Sequence, residues 1–157
     1  MPIFATAGSK LFIGGPLNGP TVTAASFTGM AWVEVRSLES LGSFGDTSEE
    51  VAFDDIAANR RIKLKGVKDA GTMEVVAALD YSDAGQVAVL AAEATPNDYA
   101  FRVVFNDAPV GGTPSERRFC AKVMSVAEQL DTASSVMKIN MSLGVNSNVV
   151  RIQADES

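Results

Sequence analysis

Segments in which apolar and polar residues alternate recur along this chain, separated by short runs of glycine, proline and small polar residues. In residues 32–41, Val33 and Val35 oppose Trp32, Glu34 and Arg36, the period of a half-exposed strand. Residues 61–65 set Ile62 and Leu64 against three cations, and residues 73–79 place Met73, Val75, Ala77 and Leu79 on one face. Turn-forming residues 67–71 lie between them, so the pair is predicted to form an antiparallel hairpin. Three more strands are predicted at 99–105 (Phe101, Val103 and Phe105 on one face), 116–128 and 136–143 (Met137, Ile139, Met141 and Leu143 on one face), with loops at 106–114 and 129–135.

The remaining segments break this period. Ala84, Val87, Ala91 and Ala94, joined by Leu90, follow helical spacing; Asp80 or Ser82 can cap the first turn and Pro96 stops the chain, so a helix is predicted from 80–82 to about 94. Its alanine-rich face is expected to lie against a sheet. Residues 1–31 carry Gly8, Gly14, Gly15, Pro16, Gly19, Pro20 and Gly29, with one plausible strand at 10–13, and read as an arm and loops. Residues 42–59 hold five acids, Asp46, Glu49, Glu50, Asp54 and Asp55, and no cation, which marks an exposed loop or a long hairpin tip.

About seven strands with one inserted helix define a mainly β chain: an antiparallel β-sandwich or barrel with one flanking α-helix. The expected organisation is a single domain over 1–157, with an N-terminal arm at 1–15, a long acidic loop at 42–59 and a C-terminal arm at 145–157. No internal repeat is visible.

Composition narrows the function. The apolar fraction of 46% and charged fraction of 20% suit a folded domain. The longest apolar runs, 75–79 and 87–92, fall far short of the ~20 residues of a membrane-spanning helix, and no basic, then apolar, leader opens the chain. A soluble protein made in the cytoplasm, with no membrane partner, is expected. The chain has no histidine, which removes the commonest general acid-base, metal ligand and nucleophile partner, and argues against an enzyme. The one cysteine, Cys120, sits in an alternating segment with Phe119, Ala121 and Val123 and reads as a strand residue. A net charge of −6 argues against gripping nucleic acid by its phosphates, though not against letting it slide past.

No motif supplies chemistry. Gly14-Gly15-Pro16 and residues 42–45 precede no helix, so they are turns rather than phosphate cradles. Glu49-Glu50 and Asp54-Asp55 match neither a buried catalytic pair nor a calcium loop. Ser125, Ser134 and Ser142 lack an activating partner, and the sequon Asn140-Met141-Ser142 falls within a predicted strand. The cations Arg60, Arg61, Lys63, Lys65 and Lys68 fit an exposed strand face; a nucleic-acid patch, or charge complementarity with the acids of another subunit, are the other readings. Catalytic, cofactor-binding and metal residues are all assigned as none.

The order of parts resembles the major tail tube proteins of long-tailed bacteriophages of the lambda type. The resemblance runs over roughly 32–152: a strand at 32–38, the acidic stretch LGSFGDTSEEVAFDD, the strand-turn-strand RRIKLKGVKDAGTMEVVAAL, the strand-helix-strand stretch DYSDAGQVAVLAAEATPNDYAFRVVF, and the closing strands at 118–123 and 136–143. It is a likeness of layout, and no counterpart of the additional C-terminal domain of the lambda type is expected. What it implies is a tube subunit of phages or phage-derived particles: sheets joined edge to edge into hexameric rings, and rings stacked through the acidic loop and the arms. Tape measure and tail terminator proteins would be partners, and DNA would pass through the lumen without specific binding. The location implied is the virion tail, after assembly in the host cytoplasm. Other readings are a tail terminator or secretion-tube subunit, a small-ligand-binding β-barrel, and a histidine-free hydrolase.

Overall fold

Alternation decides which way each strand faces, and in the computed structural model, which describes residues 3–155, most predicted faces turn inward together. The strands are β1 (Lys10–Pro16), β2 (Val33–Val35), β3 (Leu38–Ser40), β4 (Thr47–Asp55), β5 (Arg60–Asp69), β6 (Thr72–Ala78), β7 (Asp98–Val104), β8 (Glu116–Gln129), β9 (Lys138–Val145) and β10 (Val150–Ile152), with helix α1 at Ala84–Glu93. Eight of them form one antiparallel sheet in the order β2-β1-β7-β8-β9-β6-β3, with β10 paired beside β8. Met73, Val75 and Ala77 of β6, Phe101 and Val103 of β7, Phe119, Ala121 and Val123 of β8, and Ile139, Met141 and Leu143 of β9 fill the interior with Leu11 and Ile13 of β1.

The two ends of this sheet belong to one stretch of chain. β2 pairs with β1 and β3 pairs with β6, and only Arg36 and Ser37 separate them. Ser37 takes a φ of 62°, which turns the corner, and its carbonyl accepts the Ala78 N–H at 2.9 Å. The sheet therefore closes on itself as a barrel. The predicted strand at 32–41 is in fact this bent pair, β2 and β3.

Helix α1 fastens the closure, with a face other than the predicted one. Gly85, Gln86, Val89 and Ala92 are buried, whereas Ala84, Val87, Ala91 and Ala94 face outward. Close approach selects glycine: a Cβ at Gly85 would lie 2.1 Å from the Glu34 carbonyl oxygen. Gln86 then donates to the carbonyls of Ala78 (2.8 Å) and Arg36 (3.3 Å) and accepts the Asp80 N–H (3.0 Å). Asp83 accepts the Arg36 N–H at 2.9 Å. A buried amide and a glycine thus do what the alanine stripe was expected to do.

Three further expectations are corrected. The N-terminal arm at 1–15 is not all arm, because β1 pairs with both β2 and β7 and buries Leu11 and Ile13; Met1 and Pro2 lie outside the described residues. The C-terminal arm at 145–157 is docked: β10 pairs with β8, and Asp155 exchanges backbone hydrogen bonds with Thr113; Glu156 and Ser157 lie outside the described residues. The predicted pairing of 61–65 with 73–79 does not form. β5 runs straight through the expected turn and pairs with β4, while β6 pairs with β9 and β3.

Candidate assembly surfaces

The acidic loop expected at 42–59 is mostly strand. β4 and β5 form a separate two-stranded sheet that stands outside the barrel, and no residue of either strand belongs to the hydrophobic core. Its tip is set by Asp55, whose carboxylate accepts the N–H groups of Ala57 (3.0 Å) and Ala58 (3.4 Å), and by Asn59 at a φ of 50°. The register brings the acids of β4 opposite the cations of β5: Glu50 faces Lys65, Asp54 faces Arg61 and Asp55 faces Arg60. Arg61 meets Asp54 at 2.7 Å, which raises the guanidinium's pKa, and Lys63 meets Glu50 at 3.5 Å. Residues 46–69 hold six acids and five cations, so the hairpin is almost neutral. The charge segregation read from the sequence as a contact between subunits is largely satisfied within one chain.

The other face of the hairpin is apolar and uncovered. Val51 stands opposite Leu64 and Phe53 opposite Ile62. Their exposures are 46% for Val51, 60% for Phe53, 41% for Ile62 and 56% for Leu64. An isolated two-stranded hairpin is marginal in water, and four adjacent half-open apolar side chains mark a surface meant for contact.

A second concentration of charge lies at one end of β8. Arg102 and Arg118 are cross-strand partners, as are Arg117 and Arg151. Glu116 bridges Arg102 and Arg118 at 3.3 Å each. The Arg102 guanidinium lies 4.2 Å from the Phe12 ring centre and 5.1 Å from that of Trp32, and Arg117 lies 4.7 Å from Phe105. Burial, then the mutual repulsion of the arginines, pulls the pKa of Arg102 and of Arg117 down. At the opposite end of β8, Glu128 accepts from the Tyr81 hydroxyl and Asp131 accepts from the Gln129 amide at 2.6 Å, with Asp80 and Glu39 nearby.

The outer surface of β7 and β8 is covered by residues 17–32. Val22 and Phe27 close over Ala100 and Cys120 in a small second core with Leu17, Met30 and Trp32. The Asn148 side chain holds this flap, accepting the Val22 N–H at 2.7 Å and donating to its carbonyl at 3.0 Å. Cys120 therefore points away from Phe119 and Ala121 into a buried site beside Ser147, and burial pushes its thiol up to about 11.

The residues weighed for chemistry stay apart. Glu49, Glu50 and Asp54 are exposed on the hairpin, and no group of three or more His, Cys, Asp or Glu suited to a metal occurs among the described residues. In the sequon, Met141 is buried and Asn140 donates to Gln129 within the β8–β9 ladder. The arginine end of β8 was missed in sequence because its members come from three strands.

This closed antiparallel barrel, fastened by one helix and with an amphipathic hairpin beside it, is similar in fold to solved tail tube and injection-system chains. The SPP1 tail tube is similar over 97% of this chain and 80% of its own, with a TM-score of 0.62 and 19% identity. A chain of the 6-fold symmetrised anti-feeding prophage baseplate is similar over 98% of both, with a TM-score of 0.70 and 11% identity. The sheath/tube terminator of the PVC extracellular contractile injection system, in its extended state, covers 97% of this chain and 98% of its own, with a TM-score of 0.69 and 8% identity. No family model and no curated protein matches the sequence.

Proposed function

We propose that this chain is the structural subunit of a phage or phage-like tail tube, whose copies join into stacked rings, six to a ring, around a conduit for DNA. The observation that carries this reading is the hairpin β4–β5, whose apolar face nothing among the described residues covers. A second copy of the same chain is its natural cover, because donor and acceptor surfaces then differ and the contact repeats into a ring or a stack. The tube fold and the 6-fold assembly of one neighbour support the same arrangement. The subunit acts passively: outside the hairpin it carries thirteen acids and eight cations, an excess that repels phosphate and lets DNA slide. Tape measure and terminator proteins are its expected partners, and the virion tail its location.

A tube terminator is the second reading, favoured by the likeness to the PVC terminator chain. Negative-stain electron microscopy at rising protein concentration separates the two. Hollow tubes of many stacked rings are expected for the tube subunit, and rings that stop at one layer would identify a terminator. Monomers at every concentration would overturn both.

A further inference from the structure

Strand β8 joins two ends of opposite charge. At its start, Arg102, Arg117, Arg118, Arg151 and Lys10 gather with three carboxylates, Glu116, Asp107 and Asp155, an excess of two positive charges among the described residues. At its finish, Glu128, Asp131, Glu39, Asp80, Glu34 and Asp83 gather with two cations, Lys138 and Arg36, an excess of four negative charges. Eleven residues separate Arg117 from Glu128, about 35 Å along a strand. That is several screening lengths at physiological salt, about 8 Å each, so Arg117 and Glu128 do not neutralise one another within a subunit.

Neither end is self-sufficient. Like charges directly opposite in a ladder are destabilising, and this ladder holds two such pairs, Arg102 with Arg118 and Arg117 with Arg151. The Nε atoms of Arg102 and Arg118 are buried without a hydrogen-bond partner. Stacking on Phe12, Trp32 and Phe105 fixes the guanidiniums in place, so the positive end is ordered before anything meets it. At the other end, Glu128, Asp131 and Asp80 are held by neutral donors, Tyr81, Gln129 and Ser82, which orient the charge without cancelling it.

We propose that copies of this chain meet end to end across these faces, the arginine end of β8 in one copy against the carboxylate end of β8 in the next. The inference rests on the tube reading above. It adds a direction to it: the contact is heterologous, so every subunit in an assembly points the same way. The excess of carboxylates over the rest of the barrel makes a second copy a better occupant of the arginine end than nucleic acid, which that excess repels.

The test is a charge exchange in the full-length chain. One variant carries Arg117→Glu and Arg151→Glu, so that both ends are acidic; the other carries Glu128→Lys and Asp131→Lys, so that neither is acidic. Circular dichroism and thermal melting confirm that each folds, with Arg117→Gln/Arg151→Gln as a milder substitute if the first does not. Light scattering and electron microscopy then follow assembly of each alone and of an equimolar mixture. Each variant alone is expected to need at least tenfold more protein than wild type to assemble, and the mixture to recover wild-type behaviour. The substitute is expected to assemble with a weaker salt dependence than wild type. Variants that assemble alone as wild type does, or a mixture as poor as its components, would overturn the proposal. So would an arginine variant that assembles normally but loses retention on immobilised duplex DNA, which would reassign the patch to nucleic acid. A wild-type chain that never assembles would sink the tube reading itself, and this inference with it.

Discussion

On the tube reading proposed above, the hairpin can be cut out of the assembly without touching the fold, and Phe53 is the residue to change. Fully burying a Val, Leu, Ile or Phe side chain contributes about 1.5–3 kcal/mol. About half of each of Val51, Phe53, Ile62 and Leu64 is open, so covering them yields roughly 1 kcal/mol apiece and about 4 kcal/mol per hairpin. Phe53→Asp forfeits about 1 kcal/mol of that cover and places in the contact a carboxylate whose desolvation costs about 2 kcal/mol or more. The sum, about 3 kcal/mol, is roughly a hundredfold in the contact constant. Because no hairpin residue enters the core, a surface change there should alter stability by about 0.5 kcal/mol or less, and shift the melting temperature by about 2 °C or less. Sedimentation velocity across a concentration series reads the first effect and differential scanning calorimetry the second. Assembly at wild-type concentrations would refute the reasoning. So would a melting temperature lowered by many degrees, since the hairpin would then be an element of the fold.

Three further outcomes follow from the closure and the flap. Gly85→Ala, which drives a Cβ to 2.1 Å from the Glu34 carbonyl oxygen, is expected to lower stability by about 2 kcal/mol or more, measured by urea unfolding. Gln86→Leu strips partners from the carbonyls of Ala78 and Arg36 and the N–H of Asp80, and should cost about 2–4 kcal/mol while leaving the hairpin's amide protons unaffected in hydrogen exchange. Cys120 should resist alkylation in the native state. Its pKa is raised from about 9 in the unfolded chain to about 11 in the folded one, so its contribution is whole below pH 9 and is lost as pH climbs toward 11, where the unfolded state sheds its proton first. Cys120→Ala should flatten that alkaline decline, and an unchanged decline would discount the thiol.

What the sequence disclosed followed from how locally each choice was made. The inward faces of β6, β7 and β9 were legible because Met73, Val75, Phe101, Val103, Ile139 and Met141 alternate with polar neighbours, and alternation alone decides which side of a sheet a residue faces. Partners were not legible. β5 alternates as regularly as β6, and its pairing with β4 is favoured by acid-cation register, a cross-strand relation invisible along one strand. The helix was placed correctly and faced wrongly because tight approach to β2 selected Gly85 and Gln86 over the larger, more regular apolar stripe. β1 was shortened to a fragment because Gly14, Gly15 and Pro16 look like loop. Gly14 is glycine for a tertiary reason: a Cβ there would lie 2.5 Å from the Met30 side chain crossing over it. The arginine end of β8 needed three strands in register before it existed at all.

The strand order also fixes when this chain can become whole. Among the described residues, β8 alone links β7 to β9, and so joins the β2-β1-β7 half of the sheet to the β9-β6-β3 half, yet it begins only at Glu116. A chain still emerging from the ribosome can form the β4–β5 hairpin, whose strands are four residues apart, well before the barrel has any means to close. The hairpin, with its open apolar face, is ready early and the closed barrel comes later. A nascent chain thus carries the open apolar hairpin before strand β8 can join the two halves of the sheet.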